Sequence, residues 1–274
     1  MTEQTVLITG CSSGIGCETA EEFLDNGWTV YATSRDTDDI AELGEQGCET
    51  ASLDVTVQED IDRVIERIDE ETGRVDCLVN NAGYGQYGPL EDISVEQLHA
   101  QFDVNVYGPH RLTRAVLPLM RNQEDGTIVN VSSVAGRLSM PGGGAYTASK
   151  HALEAMSDAL RAEVEDFGVE VVLIEPGLVD TGFNDRLEDE LDDLPRTPAY
   201  DWLYETIEDF SHGLRGVPLT STPADVATTI HESTAVDDPR ARYVVGSDGR
   251  ILVLSRFLPD RVRDAIFRVA RQVT

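Results

Sequence analysis

Tyr146 and Lys150 stand four residues apart in Tyr146-Thr147-Ala148-Ser149-Lys150, a spacing that sets a phenol and an ammonium on one face of a helix. A free phenol has a pKa of about 10 and is a poor base near neutrality. A cation beside it stabilises phenolate, so the tyrosine can exchange a proton with a substrate hydroxyl or carbonyl. Lys150 is the one lysine in the chain; the other 20 of its 21 Lys and Arg residues are arginine. Arginine is a planar, permanently charged fork, whereas lysine is a compact ammonium on a flexible stem. A composition that has nearly eliminated lysine but kept it here marks a position where a point charge is used.

A second chemical element lies near the start. Gly10-Cys11-Ser12-Ser13-Gly14-Ile15-Gly16 follows a predicted strand and opens a predicted helix. Glycines there allow a tight turn and the close approach of a pyrophosphate to free N–H groups at a helix N-terminus. The four cysteines, Cys11, Cys17, Cys48 and Cys77, form no CxxC pair and have no histidine cluster beside them, so a metal site is not expected.

Positioning these groups requires alternating strands and helices. Short apolar runs predict strands at Thr5–Thr9, Thr29–Thr33, Glu49–Leu53, Cys77–Asn80, Gly126–Val131, Val169–Ile174 and Arg242–Val245. Amphipathic stretches predict helices at Ile15–Asn26, Gln58–Thr72, Ser94–Met120 and Ala145–Phe167, with Thr222 capping another that starts at Pro223. Seven strands in this rhythm imply an α/β fold, a doubly wound parallel sheet of Rossmann type. The 274 residues then form a single domain, 1–274, with an acidic insert at 182–222 and a basic amphipathic tail at 257–273. The insert interleaves Phe183, Tyr200, Trp202, Tyr204 and Phe210, as pocket wall or as core. In the tail, Val262, Ile266, Val269 and Val273 share one face, to pack on the domain, on a neighbouring subunit or at the substrate mouth, or on a membrane.

The net charge of −30 excludes a phosphate-backbone partner, because nucleic-acid binding needs clustered cations. It also argues against an anionic membrane surface. Acidic excess with lysine depletion is a halophilic pattern, that of cytoplasms that balance external salt with internal salt. At molar salt the Debye length is about 3 Å and surface self-repulsion is screened. With no signal peptide before the first strand, a cytoplasmic location is expected.

The glycine spacing, Gly-x-x-x-Gly-x-Gly after Thr9, resembles the short-chain dehydrogenase/reductase family, and that family's other motifs follow in order. They are Asp54-Val55, Asn80-Asn81-Ala82-Gly83, Asn105-Val106-Tyr107-Gly108, Ser132-Ser133, Tyr146-x-x-x-Lys150 and Pro176-Gly177-Leu178-Val179-Asp180-Thr181. The match runs through residues 5–181, and the stretch Asn81 to Leu90 is similar to the branch containing steroid and retinol dehydrogenases. The resemblance implies that Tyr146 is the general acid/base and that Lys150 activates it and bonds the nicotinamide ribose. It also implies that Ser133 anchors the substrate oxygen and that Asn105 holds a water in a relay through Lys150. Around the cofactor it places Gly10, Ser12, Ser13, Gly14, Ile15 and Gly16, with Asp54 and Val55 at the adenine and Asn81, Ala82 and Gly83 near the adenosine ribose. Pro176, Gly177, Val179 and Thr181 fall beside the nicotinamide.

An acid at the end of the second strand would accept the ribose 2′-OH of NAD, while arginine suits the 2′-phosphate of NADP. Here Ser34 and Arg35 occupy that point, so NADP is favoured with NAD possible, and Asp36 is the one nearby acid that could reach the ribose. The expected function is an NADP-preferring oxidoreductase, an alcohol dehydrogenase or carbonyl reductase, acting on an apolar carbonyl or secondary alcohol. The family also implies a homodimer or homotetramer. The alternative is a non-catalytic dinucleotide-binding redox sensor or scaffold, which would have no use for Tyr146.

Overall fold

The computed structural model describes residues 4–179, 190–214, 221–246, 249, 253–254 and 256–270. Seven strands form one sheet: β1 (Thr5–Thr9), β2 (Thr29–Ser34), β3 (Glu49–Ser52), β4 (Cys77–Asn80), β5 (Gly126–Val131), β6 (Val169–Pro176) and β7 (Arg242–Val245). Their order is β3-β2-β1-β4-β5-β6-β7, and every pairing is parallel. Parallel strands need crossovers, which here are helices that cover both faces.

Side chains alternate along each strand, so the two faces bury different sets. Val6 and Ile8 of β1 join Ala20 and Phe23 of α1 (Gly14–Asp25) and Val226 and Ile230 of α8 (Pro223–Thr234). Leu7 faces the other layer, with Ile61, Val64 and Ile68 of α3 (Gln58–Thr72) and Leu112, Val116 and Met120 of α5 (Gly108–Gln123). The other α-helices among the described residues are α2 (Ala41–Gln46), α4 (Val95–Phe102), α6 (Gly144–Val164), α7 (Asp201–Leu214) and α9 (Asp260–Ala270).

Two departures from expectation have physical causes. First, α2 gives no clear signal in the sequence, being six residues long with Gly44 inside it. Second, the single helix expected over Ser94–Met120 is two helices joined by a π turn at Asp103–Tyr107. Pro109 follows closely; it lacks an N–H and cannot donate to the Asn105 carbonyl four residues back, which weakens the regular α-helical ladder at this point. On the tail, Val262 and Ile266 of α9 are exposed, as are Phe257 and Leu258 before it. The side chains of Val269 and Val273, and Phe183 and Phe210 of the insert, lie outside what is described. No helix among the described residues is long and apolar enough to cross a membrane.

Candidate active site

The chain order reverses between β1 and β4, which opens a crevice beyond the C-terminal ends of these strands. Gly10 and Gly14 have φ of +73° and +57°, the left-handed region that disfavours side chains. Gly16 is needed for a different reason. A Cβ there would lie 2.2 Å from the Gly10 carbonyl oxygen and 2.5 Å from Asn81 Nδ2. At the start of α1, Ser13 makes no side-chain cap bond and the first turn holds no acid. Free N–H groups without a competing carboxylate fit a pyrophosphate. Gly16→Ala should therefore lower the melting temperature and weaken dinucleotide affinity at least ~10-fold, since overpacking costs about 1–3 kcal/mol. A fluorescence titration with NADPH and a thermal melt read both effects; wild-type affinity would show that this loop is not the cradle.

Asn81 supports that loop directly. Its Nδ2 donates to the Thr9 and Gly10 carbonyls at 2.9 and 3.0 Å, while Thr9 Oγ1 accepts from the N–H groups of Asn81 and Ala82, each at 3.1 Å. The side chain expected near the ribose is thus spent on holding the loop. Asp54 is also used locally: its Oδ1 accepts from the Thr56 N–H and hydroxyl at 2.8 and 2.7 Å. Val55 is buried against the start of α5, where a Cβ on Gly108 would meet Val55 Cβ at 2.9 Å. Ile15 packs on the sheet beside Ala20 and Phe23, and Ser12 is half-buried in the turn. At the end of β2, Ser34 is buried and Arg35 is exposed. Asp36 accepts the Asp38 N–H at 3.0 Å through Oδ1.

The proposed catalytic groups come from three elements. Ser133 follows β5, and its hydroxyl accepts the Ala135 N–H at 3.1 Å and shares a hydrogen bond with Tyr146. Tyr146 lies in the first turn of α6, with its ring stacked on Tyr87 at 5.6 Å between centroids. Burial raises its phenol to about 12, against the lowering by Ser133. Lys150 is not among the causes of this shift, so the depression expected from it is not seen, and the buried phenol sits above its ordinary value. Lys150 is only 6% exposed. Its Nζ donates to the Val131 carbonyl at 2.9 Å and lies 5.8 Å from the Tyr146 ring centre. Burial pushes the ammonium down to about 8, while Glu154 acts to raise it.

Asn105 sits in the π turn and closes the floor. Its Nδ2 donates to the Tyr84 carbonyl at 2.9 Å and to Ser149 Oγ at 3.1 Å, and its Oδ1 accepts the Tyr84 N–H at 3.1 Å. Both amide hydrogens are committed, so a relay water would have to use Oδ1 or the main-chain carbonyl that Pro109 cannot serve. Gly83 lies between the two groups: a Cβ there would be 3.1 Å from Asn105 Oδ1 and 3.7 Å from Lys150 Nζ.

Pro176 ends β6 paired with Val245. Gly177 donates its N–H to the Val245 carbonyl at 3.0 Å, and Val179 bridges to Ser221. Thr181 lies outside the described residues. The insert divides its aromatics: Tyr204 is buried with Leu191, Leu194, Leu203 and Ile207, while Tyr200 and Trp202 pack against that cluster with Tyr87. Tyr200, Trp202, Leu90 and Met140 also line an open cavity of about 370 Å³ that reaches Gly144 at the start of α6. Of the aromatics described, Tyr204 is core, and Tyr200 and Trp202 both pack on that core and line the cavity. Tyr87, which joins this cluster to Tyr146, was missed. It stands inside the Asn81–Leu90 stretch, where only the family resemblance drew attention.

Comparison with known proteins bears on this arrangement. A family model described as short chain dehydrogenase matches residues 4–192. The chain is 39% identical over 270 residues to the uncharacterized oxidoreductase YbbO of Escherichia coli K12, covering 97% of this chain and 94% of that one. It is 33% identical over 274 residues to an NADPH-dependent 3-dehydrocapnine reductase of Ornithobacterium rhinotracheale, covering 95% of each. A crystal structure of a short-chain dehydrogenase from Streptomyces avermitilis superposes with a TM-score of 0.83 at 34% identity, covering 100% of this chain and 99% of that one.

Proposed function

From the premise that the chain belongs to the short-chain dehydrogenase family, we propose that this oxidoreductase is an NADP-preferring reductase of apolar ketones, running the reverse alcohol oxidation where conditions favour it. The observation that carries this is the hydrogen-bonded Ser133–Tyr146 pair at the crevice, with the buried ammonium of Lys150 beside it. When bound, the nicotinamide supplies the hydride. Everything else falls to the chain. Ser133 donates to the carbonyl oxygen and holds it against Tyr146. A phenol raised to about 12 keeps its proton at neutral pH and can give it to that oxygen as negative charge develops. Lys150 stabilises the phenolate left behind and presents donors to a ribose. Asn105 and Gly83 fix the wall against which the ammonium rests.

The apolar lining at Leu90, Met140 and Trp202 supports an apolar substrate, and the NADPH dependence of the 3-dehydrocapnine reductase is consistent with the cofactor. Assembly as a homodimer or homotetramer belongs to the same proposal. The function is tested by following NADPH oxidation in molar KCl over a panel of ketones, aldehydes and steroid-like carbonyls. Absence of turnover across the panel would favour the sensor reading.

The cofactor preference rests on Arg35 being exposed beside a buried Ser34 at the end of β2. Arg35→Ala should reduce the NADPH-to-NADH ratio of kcat/KM by about 30-fold, the worth of one charge-assisted hydrogen bond of roughly 2 kcal/mol. An unchanged ratio would remove Arg35 from the phosphate site.

A further inference from the structure

Tyr146 and Lys150 begin a longer series on α6. Glu154 and Asp158 continue it at the same four-residue step, so phenol, ammonium and two carboxylates share one helix face. Glu154 is buried, at 6% exposure, which is unusual for a carboxylate unless it is paired. Its Oε2 accepts from Arg242 Nε at 2.9 Å, and Arg137 Nη1 lies 4.0 Å away. Glu175 on β6 is fully buried and receives Arg137 Nη1 at 2.7 Å, with Arg242 Nε at 3.3 Å. Asp158 takes Arg242 Nη2 at 2.7 Å and Arg161 Nη2 at 2.9 Å. Three carboxyl groups and three guanidiniums thus form a partly buried network behind the catalytic helix, in which burial and the neighbouring Glu175 push the Glu154 carboxyl up while Ser132 and Arg242 draw it down.

The network is joined to the site by close packing. Gly136 follows the Ser132-Ser133 turn, and a Cβ there would fall 2.8 Å from Ser132 Oγ and 2.9 Å from Glu154 Cγ. Glu154 therefore presses against the turn that presents Ser133 and follows Val131, whose carbonyl holds Lys150.

We propose that Glu154 is a positioning residue that keeps Lys150 protonated at working pH and fixes the turn carrying Ser133. This rests on the reading of Tyr146 and Lys150 as the proton-transfer pair. Lys150 lies beside Tyr146 and Glu154 on its own helix, bonds the Val131 carbonyl at the end of β5, and has Asn105 of the π turn across the Gly83 position. Glu154 in turn faces Glu175 from β6, Arg242 from β7 and Arg137 from the loop after Ser133. Within this set Glu154 is the carboxylate one helical turn from the ammonium. The sign follows directly. An ammonium already lowered to about 8 by burial falls further when the neighbouring negative charge is removed, so the charged form is lost at lower pH.

The test is the pH profile of kcat/KM for NADPH-dependent ketone reduction by wild type, Glu154→Gln and Glu154→Asp. The alkaline limb should move down by about one pH unit in Glu154→Gln and return toward the wild-type position in Glu154→Asp, with NADPH affinity retained in both. Should Glu154→Gln fail to fold, the double variant Glu154→Gln/Arg242→Gln removes opposite charges together, which buried pairs tolerate better. Its limb should move in the same direction. A folded variant whose alkaline limb coincides with wild type overturns the role of Glu154 and leaves the proposed function standing. A wild type that reduces no carbonyl overturns both.

Discussion

Replacing Tyr146 by phenylalanine should reduce turnover by about 10³-fold or more and leave NADPH affinity within a few-fold of wild type. General acid catalysis by a placed side chain is worth about 10²–10⁴. The structure indicates that little else would change. The ring is only 8% exposed and is held by its stacking on Tyr87, contacts that phenylalanine keeps. The lost hydroxyl leaves Ser133 without one partner, but its bond with the Ala135 N–H remains. Steady-state rates at saturating ketone, with an independent fluorescence titration of NADPH, separate chemistry from binding. Retention of more than a tenth of wild-type turnover would show that the proton comes from elsewhere.

The second large effect concerns a substitution that looks mild. Lys150→Arg should cost about 100-fold in kcat/KM, or about 2.7 kcal/mol of transition-state stabilisation. The lysine donates along one line to the Val131 carbonyl, with the Gly83 backbone alongside and Asn105 beyond it. A guanidinium is wider and planar, and it spreads five donors over a fixed fork. It would have to displace Gly83 or abandon Val131. Neither preserves the distance to Tyr146. Arginine also cannot shed its proton, so the alkaline limb assigned to Lys150 should vanish from whatever activity remains. Near-wild-type kcat/KM would mean that the survival of this single lysine has no mechanistic meaning.

Much of this was legible because the informative residues are local in sequence. Strand positions such as Val6, Leu7 and Ile8 alternate between two buried layers, and period two survives in the primary sequence. The expected strands accordingly fall within one or two residues of the observed ones, as at Thr29–Ser34 and Val169–Pro176. Tyr146 and Lys150 are likewise related by helical spacing alone. Less could be read where partners are distant. Glu154, Glu175, Arg137 and Arg242 come from four separate stretches, and only the order of β5, β6 and β7 brings them together. Asn81 was expected near the ribose, and its amide bonds the Thr9 and Gly10 carbonyls; the sequence does not tell whether a strand-end asparagine faces ligand or loop. The tail showed its amphipathic pattern but not its exposure, because periodicity identifies an apolar face without naming what covers it.

The π turn at Asp103–Tyr107 has a consequence for how the chain tolerates change in length. Each residue of an α-helix advances the direction of its side chain by about 100°. A five-residue turn absorbs one residue beyond the regular repeat, so α4 and α5 are out of phase by that amount. Removing a single residue from this stretch would bring the two helices into register. It would also swing Asn105 away from Tyr84 and Ser149, which it now bonds. The helix would become more regular and the site would lose its floor. Insertions and deletions in surface loops come at small cost, but here the reading frame of the helix is itself part of the geometry of the proposed site.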